Sequence, residues 1–170
     1  MNVARIISGL GMIPCILLSA FSSGSEENDL GRSKVGSLAV TVIYATNGDP
    51  TAAGEKPIEI GPEVRKKLSA TRELRFSHYR QMGAESKPIF RSYENWAQPL
   101  KPSDEILLRF ETRAEPSQQA VPLNIELWLS LKKILKSDIT LRENEPLYIL
   151  GPAWRGGKLI ISLDLTPIKS

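Results

Sequence analysis

Residues 121–129 have the sequence Val-Pro-Leu-Asn-Ile-Glu-Leu-Trp-Leu, and this stretch decides the fold. Every second position is aliphatic, and alternation with period two is typical of a β-strand that buries one face. The inward row consists of Val121, Leu123, Ile125, Leu127 and Leu129. The opposite face holds Asn124, Glu126 and Trp128. We therefore predict a strand here whose inward row belongs to the core.

Shorter runs of the same kind flank this strand on both sides. They lie at residues 74–79, 89–96, 106–111, 139–141, 147–150 and 159–166. Ile161 and Leu163, in the last run, are predicted core residues. Seven or eight short strands separated by turn residues predict an all-β fold, an antiparallel β-sandwich of the immunoglobulin-like or a related type. The crossover helices that a parallel α/β sheet requires are absent from the pattern.

The first run of the folded part differs from the others because both of its faces are apolar or small. Residues 38–45 alternate Leu38, Val40, Val42 and Tyr44 with Ala39, Thr41, Ile43 and Ala45. Such a strand is expected to be buried on both faces.

One short inserted helix is predicted around Glu63–Leu68. Gly61 and Pro62 suit its start, Glu63 suits its positive end, and Val64 and Leu68 lie four residues apart.

Two connections carry their own predictions. Residues 127–135 could form an amphipathic helical turn, but we favour a strand, a turn at Lys132 and Lys133, and a second strand. Residues 151–157 contain three glycines and indicate a hairpin connection between the last two strands.

The N-terminal segment has the layout of a secretory signal peptide. Arg5 precedes an apolar run at residues 6–21, and small or polar residues follow. We predict a signal peptide at 1–24 cleaved between Ala20 and Ser25, a flexible leader at 25–36 and a single β-sandwich domain at 37–170. The predicted location is secreted or periplasmic. The alternative is a membrane anchor formed by an uncleaved segment 6–21, although Pro14 and two glycines weaken a long helix there.

Three pieces of the chain resemble small secreted bacterial all-β domains of unknown function. They are the strand at 40–45, the run from Leu68 to Arg80, and the ending Gly151 to Ile160. The resemblance implies the fold class and export, and it brings no activity and no catalytic residues.

The composition argues against most enzyme classes. His78 is the single histidine and Cys15 the single cysteine, so a zinc site with three or four such ligands is not expected. Serine-nucleophile and phosphate-loop motifs are absent. The net charge of +3, from 22 basic and 19 acidic residues, does not indicate a nucleic-acid partner. We expect no cofactor, no metal and no catalytic residue.

The favoured function is a non-catalytic domain of the cell envelope that contacts a protein or a glycan, or that has a structural role. The alternative is a hydrolase or a carbohydrate-active accessory domain that uses paired carboxylates. By residue type, the candidates for that chemistry are Asp104 with Glu105, Glu143 with Glu145, and Asp164.

Trp154 and Arg155 are the predicted binding residues. Tryptophan and arginine are enriched among the residues that dominate binding energy, and these two lie in the predicted hairpin beside Gly156 and Gly157. The alternative interpretation is that Trp154 folds back over the sheet and covers the core.

Overall fold

A computed structural model describes residues 29–98, 105–117 and 119–168. These residues form nine strands, one α-helix and three short 3₁₀ turns, the turns at Leu30–Arg32, Pro50–Ala53 and Arg72–Leu74. The regular elements are β1 (Lys34–Thr46), β2 (Ile58–Glu59), α1 (Pro62–Ala70), β3 (His78–Phe90), β4 (Glu94–Ala97), β5 (Ile106–Thr112), β6 (Ala120–Leu129), β7 (Lys132–Arg142), β8 (Leu147–Trp154) and β9 (Gly157–Pro167).

The strands form two antiparallel sheets. One has five strands in the order β2-β3-β1-β9-β8, and the other has four in the order β4-β5-β6-β7. The predicted all-β antiparallel sandwich is confirmed. The described residues contain nine strands rather than seven or eight, and two of these, β2 and β4, are only two and four residues long.

The main core lies between the two sheets. The inward rows of β1 and β9 face those of β5 and β6, and each row alternates with period two as the sequence predicts. Leu123, Ile125, Leu127, Ile161 and Leu163 are all at most 1% exposed, so the predicted core residues are confirmed. Burial of these aliphatic side chains is the main source of stability in such a sandwich.

A second apolar cluster covers the outer face of the five-stranded sheet. Helix α1 and the segment after it pack on this face through Leu68 and Leu74, against Ile43, Tyr79 and Ile160. The Tyr79 hydroxyl donates a hydrogen bond to the Leu74 carbonyl and accepts one from the Phe76 N–H, both at 2.8 Å. Strand β1 is therefore buried on both faces, and α1 lies where the sequence predicts a helix.

The strand predicted at 74–79 is wrong in its first part. Arg72–Leu74 form a 3₁₀ turn, and β3 begins only at His78, beside the end of β1. The apolar spacing of Leu74 and Phe76 has another cause, because both side chains pack in the cluster under α1. His78, the first residue of β3, is exposed.

Two boundaries also move. The turn between β6 and β7 is formed by Ser130 and Leu131 instead of the lysines, with positive φ angles of 46° and 65° as a two-residue hairpin requires. Strand β1 begins at Lys34, three residues before the predicted start of order, because Lys34 and Gly36 pair with the end of β3. The predicted leader at 25–36 is corrected accordingly: Leu30–Arg32 form a turn capped by the Asp29 carboxylate.

The predicted signal peptide, its cleavage region and the alternative anchor at 6–21 lie outside the described residues. In the described part of the chain, no helix is long and apolar enough to cross a membrane. Export stays a prediction from the sequence.

Candidate functional site

The hairpin that carries the predicted binding residues is tighter than the sequence indicates. Strand β8 continues to Trp154, and Arg155 and Gly156 alone form the turn, with φ angles of 44° and 77°. Gly157 then lies against β1: a Cβ atom there would be 2.5 Å from the Ala45 carbonyl oxygen and from the Tyr44 ring. Glycine at position 157 is therefore what allows the hairpin to approach the sheet so closely.

Trp154 closes one end of the main core. Its half-buried ring meets the Tyr44 ring edge to face, with 5.5 Å between the ring centroids. The Tyr44 hydroxyl donates a 2.9 Å hydrogen bond to the Arg155 carbonyl, and the Arg155 guanidinium lies 4.4 Å from the Trp154 ring centroid. These contacts favour the core-covering interpretation of Trp154. Arg155 is exposed, and a binding role for the pair stays a prediction.

A second group of aromatic and charged residues lies on the outer face of the four-stranded sheet. The strand register aligns it in three rows that cross the sheet. The middle row contains Trp96, Arg109, Glu126 and Lys136. The row on one side contains Leu107, Trp128 and Lys133. The row on the other side contains Glu94, Glu111, Asn124 and Asp138. Residues directly opposite on neighbouring strands have their Cβ atoms close enough for side-chain contact. We call Trp96, Leu107, Arg109, Glu126, Trp128 and Lys133 the tryptophan face.

Arg109 joins three acidic side chains across the face. Its Nε lies 2.5 Å from Glu94 Oε2, its Nη2 lies 2.9 Å from Glu111 Oε2, and its Nη1 lies 3.8 Å from Glu126 Oε1. The Glu94 hydrogen bond is the main reason that the Arg109 pKa is raised and the Glu94 pKa is lowered. These three contacts fix the guanidinium in the middle of the face.

Glu126 has the most strongly shifted pKa described in this network. Its side chain is 6% exposed and accepts hydrogen bonds from Lys133 Nζ and Lys136 Nζ, each at 3.0 Å. The bond from Lys133, followed by that from Lys136, lowers the Glu126 pKa from 4.5 to about 2. The carboxylate thus ties β6 to the lysines of β7.

The two tryptophans lie side by side above this network. Their ring centroids are 6.3 Å apart, and Trp96 Nε1 donates a 2.7 Å hydrogen bond to Glu94 Oε1. Lys133 Nζ lies 5.0 Å from the Trp128 ring centroid, close enough for a cation–π interaction. Trp96 nevertheless remains 42% exposed. An exposed indole is thus held in place by a hydrogen bond and a neighbouring ring.

The edges of both sheets are poorly suited to pairing with another strand. Strand β4 is four residues long, and β7 has Lys132, Lys133 and Lys136 along its length. Strand β8 contains Pro152 and a register shift between Leu150 and Ala153. Short strands, lysines, prolines and bulges all disfavour strand addition. This disfavours the sheet edges as contact sites.

The candidate carboxylates for hydrolysis are spread over the fold. Glu105 lies beside β5, where it accepts a hydrogen bond from the Ser130 hydroxyl, and Asp164 lies on β9 of the other sheet. Glu143 and Glu145 lie in the connection between β7 and β8, and Asp104 lies outside the described residues. Among the described residues, no group of three or more His, Cys, Asp or Glu side chains is placed to hold a metal ion.

The sequence located two of the six residues of the tryptophan face. The strand at 121–129 correctly places Glu126 and Trp128 on the outer side. It could not show that Trp96 and Arg109 join them, because that depends on the register of β4 and β5. The sequence did contain one indication of the face. Glu94 and Trp96 are two positions apart, as are Leu107 and Arg109, and residues at that spacing share one side of a strand.

Comparisons of the chain with protein-family models, with curated proteins and with solved structures find no match. The functional argument therefore depends on the geometry of the described residues.

Proposed function

We propose that this protein is a non-catalytic binding domain that contacts a protein partner through the tryptophan face. The observation that carries the proposal is Trp96, a large aromatic side chain that is 42% exposed and yet fixed by Glu94 and Trp128. Exposed tryptophan beside arginine is the composition typical of the residues that dominate protein–protein binding energy.

The surroundings of Trp96 support this role because they reduce the entropy that binding would cost. Ordering a side chain at an interface costs about 0.5–1.5 kcal/mol when that side chain is free in the unbound protein. Here Arg109 is already held by Glu94 and Glu111, and Glu126 is held by two lysines. The face is thus preorganised for contact.

The charge of the face indicates the kind of partner surface. Four basic groups (Arg109, Arg113, Lys133 and Lys136) stand beside four acidic groups (Glu94, Glu111, Glu126 and Asp138), and ion pairs connect them. A strongly acidic or basic ligand gains no net attraction from such a surface. A flat, largely uncharged patch of another protein fits it best. With the predicted signal peptide, that partner belongs to the cell envelope or its exterior.

The proposal is tested by capture of partners from the native envelope with the full chain as bait. Trp96→Ala is compared with the wild type and with Ile58→Ala, which removes a 62% exposed apolar side chain from the other sheet. Trp96→Ala should lose the protein captured by both other baits, with the melting temperature of each variant measured in parallel. Equal capture by Trp96→Ala and the wild type would contradict the proposal. It would also be contradicted if Trp96 proved to bind a soluble glycan and not a protein.

The hydrolase alternative has its own test. Glu105→Gln and Asp164→Asn remove two of the four described carboxylates in that candidate set, one beside β5 and one on β9. A hydrolytic activity of the wild-type protein that either variant abolishes would replace the non-catalytic proposal.

A further inference from the structure

A small cavity lies on the outer face of the five-stranded sheet, far in the fold from the tryptophan face. It is bounded by the start of α1 on one side, and by Tyr148 of β8 and the preceding Pro146 on the other. Its volume is about 140 Å³. Pockets for drug-sized ligands have roughly 300–1,000 Å³, so this cavity suits a ligand smaller than that class.

One side of the cavity presents three hydroxyl groups in a row. Thr41, Ser162 and Tyr148 are directly opposite one another on β1, β9 and β8. Ser162 is buried and donates a 3.0 Å hydrogen bond to Asp164 Oδ2. Burial, followed by the nearby charge of Asp164, raises the Tyr148 pKa, so its phenol stays protonated. Ser162 thus links this row of hydroxyl groups to the Asp164 carboxylate, which lines the same cavity.

Asp164 retains capacity to bind a cation. Among the described residues its carboxylate has a hydrogen bond from Ser162 and no ion pair within 4.0 Å, although its side chain is partly buried. A carboxylate accepts hydrogen bonds only and has about four acceptor sites, so others remain beside the one used by Ser162. An ammonium group in the cavity would supply the charge and the N–H donors that Asp164 and the hydroxyls can accept.

The rest of the lining defines the other parts of the ligand. Ile43, Ile60 and Val64 form an apolar wall. Lys67, on the exposed side of α1, also borders the cavity and forms no ion pair with any described residue. The cavity therefore presents an acceptor, an apolar wall and a cationic rim.

We propose that this cavity binds a small aliphatic amino acid as its zwitterion. The ligand ammonium contacts Asp164 and Ser162, the side chain packs on Ile43, Ile60 and Val64, and the carboxylate contacts Lys67. Tyr148 and Thr41 line the ammonium end. The site is independent of the tryptophan face, which lies on the other sheet.

The test measures binding to the full chain by calorimetry, with L-leucine as the probe. Two analogues each lack one charge: 4-methylpentanoate has no ammonium, and 3-methylbutylamine has no carboxylate. Leucine should bind at least about tenfold more tightly than either analogue, which corresponds to about 1.4 kcal/mol per lost charge contact. Glucose is the uncharged, hydroxyl-rich comparison and should not bind.

Single substitutions test which residues contact the ligand. Asp164→Asn should weaken leucine binding at least about tenfold, and Lys67→Met severalfold, while the neighbouring exposed Lys66→Met and Glu63→Gln should leave it unchanged. No leucine binding at millimolar concentration, tighter binding of glucose, or wild-type affinity in Asp164→Asn would each overturn the proposal. Trp96→Ala should bind leucine normally, so failure of this site and failure of the tryptophan face are distinguishable.

Discussion

The hairpin at Trp154 and the tryptophan face contain the same chemical ingredients and use them differently. Each has a tryptophan beside a second aromatic ring, and each has a cation within 5.0 Å of an indole ring. At the hairpin, however, the second ring is Tyr44, which is 1% exposed and belongs to the main core. On the tryptophan face, Trp96 adjoins Trp128 and a set of ion pairs on the outer side of the sheet.

The difference shows that a tryptophan beside an arginine does not by itself indicate a contact surface. What separates the two regions is the environment of the neighbouring ring. A tryptophan packed on a core tyrosine is expected to stabilise the fold. A tryptophan that is 42% exposed, with its contacts on the outer side of a sheet, buries less apolar surface and is expected to contribute less to stability.

The largest expected effect is at the hairpin tryptophan. Trp154→Ala should lower the free energy of unfolding by about 2–3 kcal/mol, less than a fully buried tryptophan would, because Trp154 is half-buried. Ile161→Ala, from a side chain that is 1% exposed, is the core benchmark and should cost about 2–5 kcal/mol. Urea unfolding measures both. A loss below about 0.5 kcal/mol for Trp154→Ala would remove the contrast between the two regions.

The next-largest loss of stability is expected at Gly157, where the hairpin packs on β1. Gly157→Ala places a Cβ atom 2.5 Å from the Ala45 carbonyl oxygen, so the hairpin must shift, at a cost of about 2–3 kcal/mol. Gly156→Ala is the matched control: no atom lies within 4 Å of its added Cβ, and only the positive φ of 77° opposes it, by about 1 kcal/mol. A larger loss in Gly156→Ala than in Gly157→Ala would show that the hairpin is not packed against Tyr44.

Lowering the pH should reduce the free energy of unfolding through Glu126, on the tryptophan face. Its pKa is about 2 in the folded protein and 4.5 without its lysine partners. Because the folded pKa is the lower one, Glu126 contributes stability that is complete above pH 4.5 and is lost as pH falls toward 2. Unfolding free energy measured across this window should therefore decline more steeply for the wild type than for Glu126→Gln. Equal slopes in the wild type and in Glu126→Gln would contradict this role of Glu126.

The smallest effect on stability is expected at Trp96. Trp96→Ala should change the free energy of unfolding by less than about 1 kcal/mol, because the ring is substantially exposed and its hydrogen bond goes to an exposed carboxylate. The same urea titration used for Trp154→Ala measures it. A loss as large as that of Trp154→Ala would make Trp96 a structural residue and would weaken the binding proposal.

Much of the fold could be predicted from local pattern. The alternation at 121–129 identified both the buried Ile125 and the outward Glu126, because period two alone fixes the face of a strand. The pattern gave a wrong prediction at Leu74 and Phe76. These two apolar side chains pack under α1 and do not belong to a strand.

The candidate sites were predicted less completely, since they depend on pairing between distant segments. Nothing near Trp96 in the sequence indicates that Arg109 and Glu126 lie across from it. For Trp154, the sequence allowed both a contact role and a core role. The two-residue turn at Arg155 and Gly156 and the approach of Gly157 to Tyr44 place the ring on the core.

The central claim, that contact is made by the tryptophan face and not by the hairpin, is tested most directly by photo-crosslinking in the native host. A photoreactive phenylalanine analogue replaces Trp96 in one variant and the exposed Arg155 in the other. The account predicts a covalent protein adduct from position 96 and none from position 155. An adduct from position 155 with none from position 96 would contradict it.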